Sequence, residues 1–372
     1  MKLIARMMLG LLMAACLMAT GLLSRPVAAQ NRGEGPAAAS TSLPFLPEIV
    51  PFTTVPSNGD VNPYGVAYVP TGFHAGGPLN AGDILVSNFN NSNNLQGTGT
   101  TIVRIQPTTG QSSLFYQSAV NGLSTALGIV EQQFIIVGNV PTQDGTCGTI
   151  GTGSLQVINN KGQLVQTITD PLLDSPWDMT IFQVNSSEVI MFVSNVVSGT
   201  VARLDATVHK GGLVITNKAQ VASGYGHSCS SATFVLGPTG LVYNNTNDTL
   251  YVASTFDNSV FAVESASKLS QSEGAGNMIY SDQTHLHGPL VLLQAPNGDL
   301  LVSNGDFVNP DPNQPSEIVE FTTDGTFVSE FSIDPNEGGA FGMKIETLGN
   351  TLFRFSAVDD NTATLKTWIV SQ

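Results

Sequence analysis

Few side chains in this sequence sit at spacings that suggest chemistry. The chain has 372 residues and five histidines. Three of them, His227, His285 and His287, fall in polar stretches between apolar runs. An extended His-x-His turns both rings to one side, which suits metal ligation or proton movement. The alternative is three loop histidines bonded to water or backbone. Asp178, directly after Trp177 at the head of an apolar run, is a candidate catalytic carboxylate or metal ligand. Asn139, Asn195 and Asn304 each end an apolar run, where an amide oxygen could face a cation or bond the backbone of the following turn. The segment from Gly305 to Pro315 carries Asp306, Asn309, Asp311 and Asn313, hard oxygens of the kind Ca²⁺ takes. A divalent cation is thus the one cofactor these residues suggest. Nucleophile-elbow, zincin, Walker and dinucleotide motifs are all missing, which argues against those chemistries.

Composition narrows the partners. Charged residues make up 11% of the chain, with 13 basic to 28 acidic and a net charge of −15. No basic cluster exists for nucleic acid or an anionic membrane surface. Residues 1–29 read as a signal peptide, with Lys2 and Arg6 ahead of an uncharged apolar run and Val27-Ala28-Ala29 before a cut at Gln30. Lipidation at Cys16 and an uncleaved anchor are the alternatives; all three predict an exported, periplasmic or extracellular protein. Residues 30–44 have linker composition. Cleavage leaves Cys147 and Cys229, which an oxidising compartment would pair.

The elements that position these residues repeat. An aliphatic run ending in a small polar residue recurs at Asn88, Asn139, Asn195, Ser254, Asn304 and Ser356, spaced by 51, 56, 59, 50 and 52 residues. Upstream of most anchors lies a Pro- or Gly-led strand, and downstream a polar turn, an alternating strand and a weaker fourth strand. Four short strands per unit and six units predict an all-β, six-bladed β-propeller over residues 45–372. The last unit lacks its fourth strand. The extended run Glu48–Val55 is free to fill that gap and close the ring.

The Pro- or Gly-led inner strand followed by Gly298-Asp-Leu-Leu-Val-Ser-Asn304 resembles NHL-type repeats, and more broadly the six-bladed superfamily of gluconolactonase-like hydrolases and streptogramin-B-lyase-like proteins. That resemblance implies a site on the axial face. Lactonase-type members hold one divalent ion there with a Glu near the N-terminus and Asn and Asp from later blades. Asn139, Asn195 and Asn304 occupy comparable strand ends, but Asn62-Pro63-Tyr64 stands where the Glu would be.

A second ring follows the head of each inner strand: Tyr64, Leu127, Trp177, Thr239, Leu290 and Phe341. Its three aromatics, Tyr64, Trp177 and Phe341, would stack on a sugar or planar ligand, or else plug the tunnel. Two functions follow. One is an exported binding module taking a small molecule or another protein at the axial face. The other is a metal-dependent hydrolase or lyase acting on a small cyclic ester.

Overall fold

Short β-branched runs bounded by Gly, Pro, Asn and Asp turns favour strands over helices, and the regular structure of the described residues is almost wholly antiparallel sheet. The computed structural model describes residues 50–130, 133–231, 233–305, 317–336 and 338–371. The expected leader, the linker and the Asp306, Asn309, Asp311 and Asn313 loop lie outside them. The only helical segment among the described residues is a 3-10 turn at Cys147–Thr149.

Strand β1 (Phe52–Thr53) precedes the first full blade. Blade one comprises β2 (Val61–Tyr68), β3 (Ile84–Asn90), β4 (Thr101–Gln106) and β5 (Gln111–Gln117). Blade two comprises β6 (Leu123–Val130), β7 (Phe134–Asn139), β8 (Leu155–Asn159) and β9 (Leu164–Ile168). Blade three, with the longest strands, comprises β10 (Pro176–Asn185), β11 (Glu188–Asn195), β12 (Thr200–His209) and β13 (Gly212–Ser223). A separate two-stranded hairpin follows, β14 (Ser228–Ser230) and β15 (Phe234–Leu236). Blade four is β16 (Pro238–Asn244), β17 (Thr249–Ser254), β18 (Ser259–Glu264) and β19 (Asn277–Tyr280). Blade five is β20 (Pro289–Gln294), β21 (Leu300–Asn304), β22 (Glu317–Phe321) and β23 (Phe327–Ser332). Blade six is β24 (Ala340–Thr347), β25 (Leu352–Asp359) and β26 (Thr364–Ser371), completed by β1 as its outer strand. The inner strands β2, β6, β10, β16, β20 and β24 neighbour one another in that order and close back on β2.

The closure expected from sequence is the one observed. Phe52 pairs with Leu365 and Thr53 with Thr364, and the Thr54 hydroxyl donates to the Ala363 carbonyl at 2.7 Å. Apolar faces of adjacent blades pack into continuous clusters, and the largest runs through blades five, six and one to the axis.

Every inner strand is bulged near its head, between the residue that pairs with the anchor and the regular ladder beyond. That register corrects two sequence-based positions. In blade six Ala340 pairs with Asp359, as Pro289 pairs with Asn304, so Asp359 and not Ser356 is the anchor. In blade two Leu123 pairs with Asn139, and the ring position is Ser124; Leu127 comes after a two-residue bulge. Glycine occupies the bulge where the neighbouring blade comes closest. A Cβ on Gly342 would lie 1.7 Å from the Tyr64 carbonyl oxygen, and one on Gly240 2.4 Å from the Leu292 amide.

Candidate ligand site on the propeller axis

The recurrent Ser-Asn pair is a structural clamp. In blade one the Ser87 hydroxyl accepts from the bulge amide of Gly65 (2.9 Å) and donates to the Ser124 carbonyl of blade two (2.8 Å). In blade three Ser194 accepts from the Asp178 amide (3.0 Å) and donates to the Thr239 carbonyl of blade four (2.7 Å). The asparagine pins the loop that enters its own blade. Asn139 donates to the Asn121 carbonyl (3.0 Å), Asn195 to that of Leu172 (2.8 Å) and Asn304 to that of His285 (2.8 Å).

The amide oxygens of the same asparagines accept further backbone bonds. Oδ1 of Asn139 accepts from the Ser154 amide (2.8 Å), that of Asn195 from the Asp174 amide (3.0 Å) and that of Asn304 from the His287 amide (2.9 Å). Asp178 is likewise held by amides, Oδ1 by Met179 and Oδ2 by Leu241, both at 2.8 Å. Among the described residues no group of three or more His, Cys, Asp and Glu converges as metal ligands. Asn139, Asn195, Asn304 and Asp178 thus each hold backbone amides of the strands and loops around them. Their shared position serves the repeat, and a repeated position answers to a repeated structural task.

Nor do the histidines meet. The stretch 283–285 is bent, and His285 and His287 take different partners. His285 bonds Asp282 at 2.9 Å and stacks on Phe327 with ring centroids 3.9 Å apart. His287 faces the buried Glu317 at 3.5 Å, and His227 is solvent-exposed.

What does converge is aromatic. Tyr64 lies edge-on to Trp177 (5.4 Å), to Phe341 (4.8 Å) and to Phe89 (4.8 Å), joining blades one, three and six at the axis. Trp177 is 3% exposed and Phe341 1%. These three sequence-predicted ligand residues thus form a floor, and the floor is covered. The β14–β15 hairpin lays Phe234 over it, 5.9 Å from Phe89, and the Cys147–Cys229 disulfide (Cα–Cα 5.8 Å) ties the hairpin to the β7–β8 loop across blade three. The expected pairing of the two cysteines is therefore present, and it staples a cover over the axial mouth.

Two features of that cover point to a ligand. Phe234 has φ +55°, a left-handed backbone conformation that costs a β-carbon residue roughly 1–2 kcal/mol. Beneath it, a cavity of about 30 Å³ is lined by Tyr64, Trp177, Leu290 and Phe341, and the buried Trp177 indole N–H has no acceptor among the described residues. Such an orphaned donor carries a penalty of about 1–3 kcal/mol. Outside Phe234 lies a vestibule of about 300 Å³ beside the disulfide, lined by Gln96, Thr146, Cys147 and Ser230, so Phe234 separates the two spaces. A larger groove of about 580 Å³ runs along 169–174 and Ser198. It is shallow and off the axis, and its Asp170 is already paired with Lys218 at 2.6 Å.

Below the floor the axis continues as a narrow channel, which takes in Asp178 from blade three and Lys344 from blade six. Burial pushes the Asp178 carboxyl up to about 7, against the two amides and Lys344, which favour its charged form. Sequence reasoning found Asp178 but missed Lys344 and Phe234. Lys344 carries no local signal, because its direction depends on the bulge before it. Phe234 is hidden in a Ser-rich connection.

No protein-family model matches the chain, and no curated protein matches it either. Solved structures do. A gluconolactonase from Xanthomonas campestris aligns over 85% of this chain and 87% of its own, at 14% identity and TM-score 0.52. A putative glucose dehydrogenase from Thermus thermophilus covers 84% and 98% at 11% identity and TM-score 0.51. A calcium-binding regucalcin from Agrobacterium tumefaciens covers 86% and 97% at 11% identity and TM-score 0.50. The chain shares the gluconolactonase-like six-bladed fold. At these identities the likeness speaks for architecture and leaves activity to the site.

Proposed function

We propose that the protein is a lactonase-like propeller that takes a small sugar-type ring, cyclic esters included, against the floor of Tyr64, Trp177 and Phe341 beneath the β14–β15 hairpin. The carrying observation is the buried indole N–H of Trp177 on that floor, without an acceptor among the described residues, under a strained aromatic cover. Aromatic faces suit the C–H surface of a sugar ring, and a ring carbonyl or hydroxyl would supply the missing acceptor. Fold-level likeness to a gluconolactonase favours the cyclic-ester version. In this reading Phe234 moves aside to admit the ring from the vestibule.

The same proposal places the protein outside the cytoplasm. Its support is the leader composition together with cysteines brought to bonding distance.

The direct assay follows consumption of glucono-δ-lactone against its uncatalysed opening, with and without added Ca²⁺, beside equilibrium titration of the same ligand. We expect saturable binding that Trp177→Phe weakens roughly tenfold, the worth of one recovered buried hydrogen bond. Consumption above the uncatalysed rate makes the protein a hydrolase; binding without consumption makes it a binding module at the same site. Wild-type protein that neither binds nor consumes any of a panel of lactones and sugars overturns the proposal.

A further inference from the structure

Two spaces meet at the β14–β15 hairpin and share a wall. Gln96 and Phe234 line both the cavity of about 30 Å³ on the aromatic floor and the vestibule of about 300 Å³ outside it. The first has room for about one water molecule, whereas the second reaches the lower end of the volumes that hold small-molecule ligands, about 300–1,000 Å³. A ring that displaces Phe234 to reach the floor therefore opens directly onto the larger space. A bare ring leaves that space to water.

The vestibule is uniform in its chemistry. The segments that border it, 91–100, 141–153 and 228–236, hold one charged residue between them, Asp144. Its carboxylate is turned onto its own loop, accepting from the Thr146 and Thr149 hydroxyls at 2.7 and 2.6 Å. Thr146, Ser230 and Ser231 stand on the wall. Gln96 is half-buried at the junction of the two spaces. Its backbone carbonyl accepts from the Thr142 hydroxyl, but its side-chain amide makes no hydrogen bond among the described residues. One donor group and one acceptor thus stand unused where a ring's substituent would pass. Gly148 lines the same space, and beyond its chain neighbours a Cβ there would meet nothing nearer than Thr146 Oγ1, at 3.9 Å.

We propose, building on the reading of the floor as a sugar-ring site, that the ligand is a ring carrying an uncharged, hydroxylated substituent, namely a second sugar unit. The first ring lies on the floor, the second fills the vestibule, and Gln96 at the junction selects for the pair. A phosphate or carboxylate substituent is disfavoured. The bordering segments hold no Lys or Arg, their one charge is an acid, and the whole chain carries −15. An apolar substituent would displace water from the Gln96 amide and the wall hydroxyls without replacing its hydrogen bonds.

The test compares three ligands on the full protein: glucono-δ-lactone, its 4-O-glucosyl derivative cellobiono-δ-lactone, and 6-phosphoglucono-δ-lactone. Calorimetry gives the affinities and the Trp177 indole N–H reports the site. The glucosylated lactone should bind roughly tenfold tighter than the plain one, the worth of one or two added hydrogen bonds, and the phosphorylated one no tighter. Gln96→Ala should remove most of that gain. Gly148→Leu, which fills the vestibule, should abolish it. Gly148 is not among the glycines of left-handed backbone, so leucine there strains no turn and the variant should melt like wild type. Equal affinity for the plain and glucosylated lactones, tighter binding of the phosphorylated one, or a gain that survives in Gly148→Leu overturns this inference while the floor remains a ring site. A Trp177 signal that responds to none of the three overturns both.

Discussion

A chain lacking residues 45–56 is expected to lose the propeller's closure and most of its solubility. The deletion removes β1, which pairs with β26 through Phe52 and Thr53. It also removes Thr54, whose carbonyl accepts from Asn88 Nδ2 in blade one at 2.9 Å and whose side chain is fully buried. Those few residues thus clasp blade six to blade one. Without them Thr364 and Leu365 lose the strand that pairs with them, and β26 becomes a bare outer edge, the kind of edge that recruits another chain. We expect aggregation at micromolar concentration and a melting temperature lowered by more than about 10 °C, since several buried bonds and an inter-blade contact are lost together. Scanning calorimetry with light scattering reads both. A truncated protein that melts like wild type and does not aggregate would mean that another segment closes the ring.

Opening the Cys147–Cys229 bond should uncover the axis while leaving the blades intact. The bond closes a separation of 82 residues, for which chain-entropy arguments give about 4.5 kcal/mol and measured cases about 2–4 kcal/mol. Its structural consequence is more specific. Among the described residues β14 and β15 pair only with each other, so the disulfide is the covalent tie that holds the hairpin at its far side. With the bond removed, nothing covalent there opposes relaxation of Phe234 from its left-handed conformation. In Cys147→Ser/Cys229→Ser, the Trp177 emission should shift to the red and become quenchable by acrylamide, while far-ultraviolet circular dichroism stays unchanged. Emission and quenching identical to wild type would show that the hairpin stays seated without its staple.

The propeller was legible because its signals are local. A strand of alternating or continuous apolar residues, a Gly or Asn turn and a near-constant period need no tertiary information, and a missing fourth strand points to the segment that replaces it. Registers inside a blade were less legible. The run Leu352-Phe-Arg-Phe-Ser356 matches the anchor pattern, yet the strand continues to Asp359, and only its pairing with Ala340 fixes the true anchor. Bulges explain the rest. One extra residue flips every later side chain to the other face, so Phe341 and Lys344 both reach the axis although strict alternation would separate them. Asp178 stood out as a carboxylate in a bulge where Gly65, Gly240 and Gly342 are the rule, but its partners, the Met179 and Leu241 amides, belong to two different blades. The asparagines drew attention as potential ligands because a clamp and a ligand ring have the same periodicity. Their bonding partners show the clamp, which no local sequence signal reveals.

The central claim is that a ring-shaped ligand sits against Trp177 under Phe234, and the chain makes it directly measurable. There are only two tryptophans, Trp177 at the axis and Trp368 in the outer part of blade six, so the ¹⁵N-indole spectrum should hold two cross-peaks. Titration with glucono-δ-lactone, or with a non-hydrolysable sugar analogue, should move the Trp177 indole N–H saturably downfield as it gains an acceptor, and leave Trp368 in place. A Trp177 cross-peak that stays fixed at saturating ligand, or that moves no more than that of Trp368, contradicts the account.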